Sequence, residues 1–281
     1  MLCGFRLLEL VLSWGMDSQL DIQSAFAALV WQSELGATEA ICDEPVDRFV
    51  AAEPHPVKPQ KNDVAAIKHS AEKTSGFDPV EIAQTTAVAS QSLEALAGAL
   101  AAFDYCELKK GARNTVFADG NPEARVMIIG EAPGREEDMQ GKPFVGRAGQ
   151  LLDRMFAAIG MSRQAAGADA AIYIANILPW RPPQNRDPLP EEIAMMMPFV
   201  RRHVELVSPD VLVLMGNTSC QGVLGKRGIT RLRGNWAHAY GLPVLPMFHP
   251  AYLLRNPLAK REAWQDLLML QTKLRESNVA H

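Results

Sequence analysis

Val126-Met127-Ile128-Ile129-Gly130-Glu131-Ala132-Pro133-Gly134 decides the fold: four apolar residues in a row, then a turn built from glycine and proline. A run so short and so continuously apolar reads as a strand buried on both faces, the pattern of a parallel sheet covered by helices. Three more such runs follow, at residues 172–175, 211–215 and 244–248. Helical patterns separate them at 146–160, 189–207 and 217–224, with a last one at 258–275. The expected fold is α/β: a three-layer α/β/α sandwich around a central four-stranded, mainly parallel sheet. No internal repeat is visible.

Open sheets of this kind bind ligands beyond the carboxyl ends of their strands. Reading on from each run yields a short list. After the first comes the turn of residues 130–134, and after the second Asn176, then Arg181-Pro182-Pro183-Gln184-Asn185-Arg186. After the third comes Gly216-Asn217, and after the fourth His249-Pro250-Ala251-Tyr252-Leu253-Leu254-Arg255. An acid, an amide, a histidine and several arginines are thus expected on one rim.

Away from these strands the chain changes character. Residues 1–42 read as an N-terminal arm with a short amphipathic helix near 17–35. Residues 1–15 read as an over-long start ahead of Met16. The stretch 43–79 is rich in Pro, Lys and Glu and reads as a disordered linker without chemistry. A helix over 80–102 then leads into a folded domain spanning 80–281.

The net charge of −4 hides an asymmetry. Residues 1–104 hold 6 Lys and Arg against 15 Asp and Glu, whereas residues 105–281 hold 22 against 17. A mildly basic folded half hints at a polyanionic partner. Hydrophobic content of 48% and charged content of 21% are ordinary for a globular chain. Cys3, Cys42, Cys106 and Cys220 form no CxxC pair, so neither a disulfide framework nor a zinc motif is expected, and a reducing cytoplasm suits them. The apolar opening residues carry Glu9 and are too short to span a bilayer, so no membrane association is expected.

The residues alone leave the turn at 130–134 open between a ligand-cradling loop and a plain strand-to-helix turn. Its glycines allow close backbone approach, but it has too few of them, and no Lys-Ser/Thr, for a nucleotide phosphate loop. Asn176 alone would suit a turn or cap.

Several motifs in order nevertheless resemble the family-4 branch of the uracil-DNA glycosylases. They are the turn at 130–134, the acidic Glu136-Glu137-Asp138, the segment 141–152 (GKPFVGRAGQLL), Tyr173-Ile174-Ala175-Asn176, the run from Arg181 to Arg186, and Met247-Phe248-His249-Pro250-Ala251. The resemblance covers roughly residues 103–275 and implies excision of uracil from DNA by a glycosylase without lyase activity. It implies uracil-containing DNA as partner and a monomer; the N-terminal arm is given no partner.

The same resemblance assigns roles. Phe144 would stack on the uracil ring, with Ala132 and Pro133 beside it in the substrate pocket. Asn176 would read the base edge, since an amide offers a donor and an acceptor side by side. His249 would stabilise the negative charge that grows on the departing base. Glu131, or secondarily Glu137, would position water or stabilise the sugar cation. Tyr252, Leu253, Leu254 and Arg255 would enter the minor groove as a wedge, and Arg147 and Arg186, with Arg181, Arg231 and Arg233, would meet phosphates. His203 and His238 have no support from the motifs.

One departure matters. Family-4 enzymes hold an iron–sulfur cluster on four cysteines, and the corresponding positions here are Phe103, Cys106, Trp180 and Met196. A cluster needs thiolates at nearly all corners, so none is expected, and no other cofactor or metal is implied. The rival to an enzyme is a degenerate relative that binds DNA or damaged bases without cutting. Glu131, Asn176 and His249 speak against it.

Overall fold

A computed structural model describes residues 78–279. The expected N-terminal arm and nearly all of the expected linker lie outside the described residues. Alternating burial builds the centre. Along β2 (Val126–Gly130), Val126 and Ile128 face one side of the sheet while Met127 and Ile129 face the other. The same division runs along β3 (Ile172–Asn176) and β4 (Val211–Met215), and Val244 and Leu245 divide likewise in β6 (Leu242–Met247). Each face therefore needs its own cover of helices. These four strands run parallel in the order β3-β2-β4-β6.

The sheet has six strands rather than four. Two three-residue strands, β1 (Ala118–Gly120) and β5 (Ala237–Ala239), close its edges antiparallel to β3 and β6. Neither carries a continuous apolar run, because an edge strand is covered on fewer sides and tolerates polar residues.

One face is covered by α1 (Pro79–Ala89), α2 (Leu93–Ala102), the single-turn α3 (Leu108–Gly111) and, further along the chain, α6 (Pro190–Val207). The other is covered by α5 (Arg147–Ala157) and α10 (Lys260–Val279) through Leu152, Phe156, Leu267 and Leu270. Burying each such side chain contributes about 1.5–3 kcal/mol. The expected single helix over 80–102 is two. Ser90 ends the first in an extended conformation, and the Ser92 hydroxyl caps the second by accepting from the Ala95 amide (3.2 Å). Helix α1 belongs to the core, where Ala83 and Ala87 are buried.

The chain passes from β2 to β3 on one side, then crosses to β4 on the other. That reversal opens a crevice at the carboxyl ends of β2 and β4. Among the described residues no helix is long and apolar enough to cross a membrane.

Candidate active site

The crevice holds a cavity of about 590 Å³ lined from all the expected strand ends except that of β3 itself. Phe144, one of its lining residues, packs close to Gly130. A Cβ placed there would stand 2.4 Å from Asn176 Oδ1 and 2.6 Å from the Phe144 ring, so glycine lets amide and ring converge. Asn176, the last residue of β3, pairs in register with Gly130. Its buried Oδ1 has no hydrogen-bond partner. An unsatisfied buried acceptor costs about 1–3 kcal/mol, and such a cost is expected where a ligand supplies the missing donor.

Phe144 is buried and sits at φ 53°, in the left-handed region. For a bulky residue this costs on the order of 1–3 kcal/mol and calls for surroundings that enforce it. Part of the enforcement is Gly149, where a Cβ would fall 1.8 Å from the Phe144 carbonyl oxygen. The Phe144 ring stacks on the His249 imidazole, centroids 5.4 Å apart.

His249 caps the amino end of α9 (Pro250–Arg255), its Nδ1 accepting from the Ala251 amide at 3.1 Å. The proton of the neutral ring therefore sits on Nε2. Burial, reinforced by the positive charge of Arg255, pushes its pKa down to about 4, against the weaker opposing pull of Glu137. The ring is neutral at physiological pH.

The two candidate acids differ. Glu131 lines the cavity, and one of its oxygens accepts from the Thr218 hydroxyl at 2.6 Å. Glu137 also lines it, but its carboxylate accepts three backbone amides: Gly134 (3.1 Å), Val145 (3.0 Å) and Gly146 (2.9 Å). It thereby laces α4 (Arg135–Gln140) to the loop that carries Phe144. Ala132 and Pro133 line the wall between them.

The basic and wedge residues divide as well. Tyr252 and Arg255 line the cavity mouth, and Leu254 is half-buried beside them. Leu253 is fully buried against Leu151, Phe248 and Ala263, and does not reach the surface. Arg186 lines the cavity but grips the buried Glu192 with both guanidinium arms, at 2.9 and 2.6 Å. Arg233 is likewise engaged by the buried Asp266. Arg181 donates to Asn185 (2.8 Å), and the exposed Arg147 and Arg231 stand outside the cavity lining. His203 packs in the core, hydrogen-bonded to the Tyr173 hydroxyl at 2.9 Å, and His238 is exposed on β5.

Sequence reasoning passed over Thr218, Arg227 and Arg163. Thr218 follows the flagged Gly216-Asn217 directly and was within reach. Arg227 lines the cavity from the turn between α7 (Asn217–Leu224) and α8 (Ile229–Leu232), a turn pinned by Asn217 Oδ1, which accepts from the Gly228 and Ile229 amides. Arg163 lies in a loop without any motif.

The profile of the uracil DNA glycosylase superfamily matches residues 117–268. The chain belongs to this superfamily. The type-4 uracil-DNA glycosylase of Thermotoga maritima is 42% identical over 156 residues, covering 54% of this chain and 77% of the relative. That of Archaeoglobus fulgidus is 35% identical, covering 63% and 90%, and that of Saccharolobus solfataricus 34%, covering 65% and 87%.

Within a superfamily whose family-4 members carry a cluster, the four positions here can be judged by what they offer. Phe103, Cys106, Trp180 and Met196 all lie in one buried core cluster, at 4%, 0%, 1% and 1% exposure. Phe103 packs edge-on to Phe199, and the Trp180 indole donates to the Thr115 hydroxyl at 3.1 Å. Burial pushes the pKa of the one thiol, Cys106, up. A phenyl ring, an indole N–H donor and a thioether do not replace three thiolates. These residues do not fit an iron–sulfur cluster.

Proposed function

We propose that this superfamily member hydrolyses the N-glycosidic bond of deoxyuridine flipped out of DNA, releasing uracil and leaving an abasic site. The observation that carries the reading is the unpartnered Oδ1 of Asn176, buried beside the Phe144 ring, which lines the cavity and stacks on His249. Uracil N3–H is the donor that oxygen lacks, and uracil O4 can accept from the same amide. Cytosine presents an acceptor at that ring nitrogen and leaves Oδ1 unpaired.

The remaining residues supply what such a reaction needs. Extruding a nucleotide costs a few kcal/mol, offset by stacking on Phe144 and by Tyr252 and Leu254 filling the vacated stack. As the bond to C1′ breaks, its electron pair moves onto the base, over N1 and O2. The neutral His249 donates from Nε2 to O2 without giving up its proton. Its stabilisation grows as the charge grows, which is what accelerates a reaction rather than merely tightening binding. Glu131 holds the attacking water against the sugar cation, steadied by Thr218. The water oxygen bonds to C1′, and its proton leaves through the carboxylate. No lysine lines the cavity among the described residues, and Lys142 turns to Asp119 at 3.3 Å, which favours hydrolysis without a Schiff base.

The test is a duplex containing one uracil, incubated with the full chain and then treated with alkali. Strand breakage at the uracil is expected, and it is expected to be strongly reduced in His249→Ala and Asn176→Ala. Binding without breakage would instead identify a recognition module.

A further inference from the structure

Arg163 is an arginine with only 5% of its side chain exposed, in the loop after α5, and every nitrogen of its guanidinium donates. Nε donates to Asp153 (2.9 Å), and one terminal nitrogen donates to Asp119 and to the Pro143 carbonyl, each at 3.0 Å. The other donates to the Phe144 carbonyl at 2.9 Å and meets Asp153 at 2.8 Å. The guanidinium thus holds two successive carbonyls of a loop whose backbone stands in the left-handed region at the aromatic Phe144. It is itself fixed from opposite sides, by Asp119 on the edge strand β1 and by Asp153 on α5.

We infer that Arg163 is the positioning residue for the Phe144 ring, clamping the Pro143 and Phe144 carbonyls so that the ring stands in the uracil pocket. The inference rests on the reading of Phe144 as the surface on which the base stacks. A planar fork with five donors is required, because two carbonyls and two carboxylates converge on it from fixed directions. Lysine, with three donors on one nitrogen, cannot serve all of them. Arg163 touches no reacting atom and acts through Phe144 alone. The otherwise unremarked edge strand β1 acquires a purpose, as the anchor of the clamp.

The experiment is a double-mutant cycle on the full chain: wild type, Arg163→Lys, Phe144→Ala and both together. It is read by the single-turnover rate of uracil release at saturating enzyme and by affinity for uracil-free duplex. Arg163→Lys is expected to slow release by about tenfold or more, since a displacement near 1 Å can cost ~10²-fold. In the Phe144→Ala background the same change is expected to have no further effect, because the ring it positions is gone. Affinity for uracil-free DNA is expected to stay within about twofold in Arg163→Lys.

An equal loss in both backgrounds, or no loss in either, overturns the inference while leaving the functional reading intact. A wild-type chain that leaves uracil in place overturns both. Should Arg163→Lys fail to fold, Asp153→Asn, which disturbs the clamp from its partly exposed side, enters the cycle in its place with the same expectations.

Discussion

The Phe144 ring and the His249 imidazole stack with centroids 5.4 Å apart and planes inclined by 30°. Rings that already stand within the ordinary range of an aromatic pair, about 4.5–7 Å, admit no third ring between them. A base bound here meets His249 through the imidazole edge, where Nε2 carries the proton. Because the proposed role uses the neutral ring and its pKa is pushed down to about 4, the acid limb of the single-turnover rate is expected near pH 4. An ordinary histidine would place it near pH 6.5. A pH–rate profile measured from 4 to 8 checks this. A limb near 6.5 that vanishes in His249→Gln would show that the ring is not held neutral.

Asn176→Ala separates function from stability. The wild-type amide oxygen is buried without a partner, so removing it relieves a cost while removing the proposed base reader. Uracil release is expected to fall by roughly 10²-fold, corresponding to about 3 kcal/mol of lost recognition. The midpoint of thermal unfolding is expected to stay level or rise. Parallel loss of rate and melting temperature would mean the amide is a structural brace.

Glu131 and Glu137 are both acids on the cavity wall, yet opposite outcomes are expected of them. Glu131→Gln keeps an oxygen for the Thr218 hydroxyl, so the fold should survive while release slows by about tenfold or more. Glu137→Gln keeps one oxygen for the Val145 and Gly146 amides but sets an amide NH₂ against that of Gly134, and should destabilise the protein by about 1–3 kcal/mol. Denaturant unfolding beside single-turnover kinetics distinguishes them. Unchanged stability in Glu137→Gln would return it to the list of water-positioning candidates.

Much of this was legible in the chain, and what was hidden has a common cause. The four inner strands announced themselves because burial on both faces forces continuous apolar runs. The edge strands β1 and β5, three residues each and half-exposed, are under no such demand. Asn176 and His249 were visible as polar residues ending apolar runs, and the turn at Gly130 as a place for close approach. Leu253 and Leu254 could not be told apart, since neighbours on a helix point about 100° apart and only the packing shows which one enters the core. Arg163 was out of reach because its partners lie 10 to 44 residues away, two of them backbone carbonyls that carry no sequence signature. Arg186 lies in a matched run and Arg227 in none, and nothing in the sequence shows that Glu192 holds the first.

That separation makes a prediction about DNA binding. Arg227 and Arg255 stand on the cavity mouth and make no ion pair with the described residues, whereas Arg186 is bound to Glu192. Each arginine that meets a phosphate releases counterions, and its removal should lower the slope of log K against log salt by about 0.9. Arg227→Gln and Arg255→Gln are each expected to do so on uracil-free duplex. Arg186→Gln is expected to leave the slope nearly unchanged and to cost stability instead, because Glu192 stays buried without its cation. Titrations between low and moderate salt decide the matter. A full unit lost in Arg186→Gln and none in Arg227→Gln would reverse the assignment.

His203 lets the core be tested without reference to DNA. It is buried, stacked on Phe117 at 4.4 Å and bonded to the Tyr173 hydroxyl, and burial pushes its pKa down to about 3. In the unfolded chain the same ring titrates near 6.5. Above that value both states are neutral there, and the histidine exerts no pH dependence. As pH falls below it, the unfolded chain takes up a proton that the folded core refuses, so stability declines steadily until the folded pKa is approached. One such group contributes a slope approaching 1.4 kcal/mol per pH unit between about pH 6 and pH 4. His249, neutral for the same reason, adds to it over the upper part of that window. His203→Gln keeps a partner for the tyrosine but cannot titrate in this range. It is expected to be less stable at pH 7, through lost stacking, and to lose stability less steeply on acidification. Urea unfolding at several pH values between 7 and 4.5 measures both. A slope as steep in the variant as in the wild type would mean that His203 takes up its proton without leaving the fold.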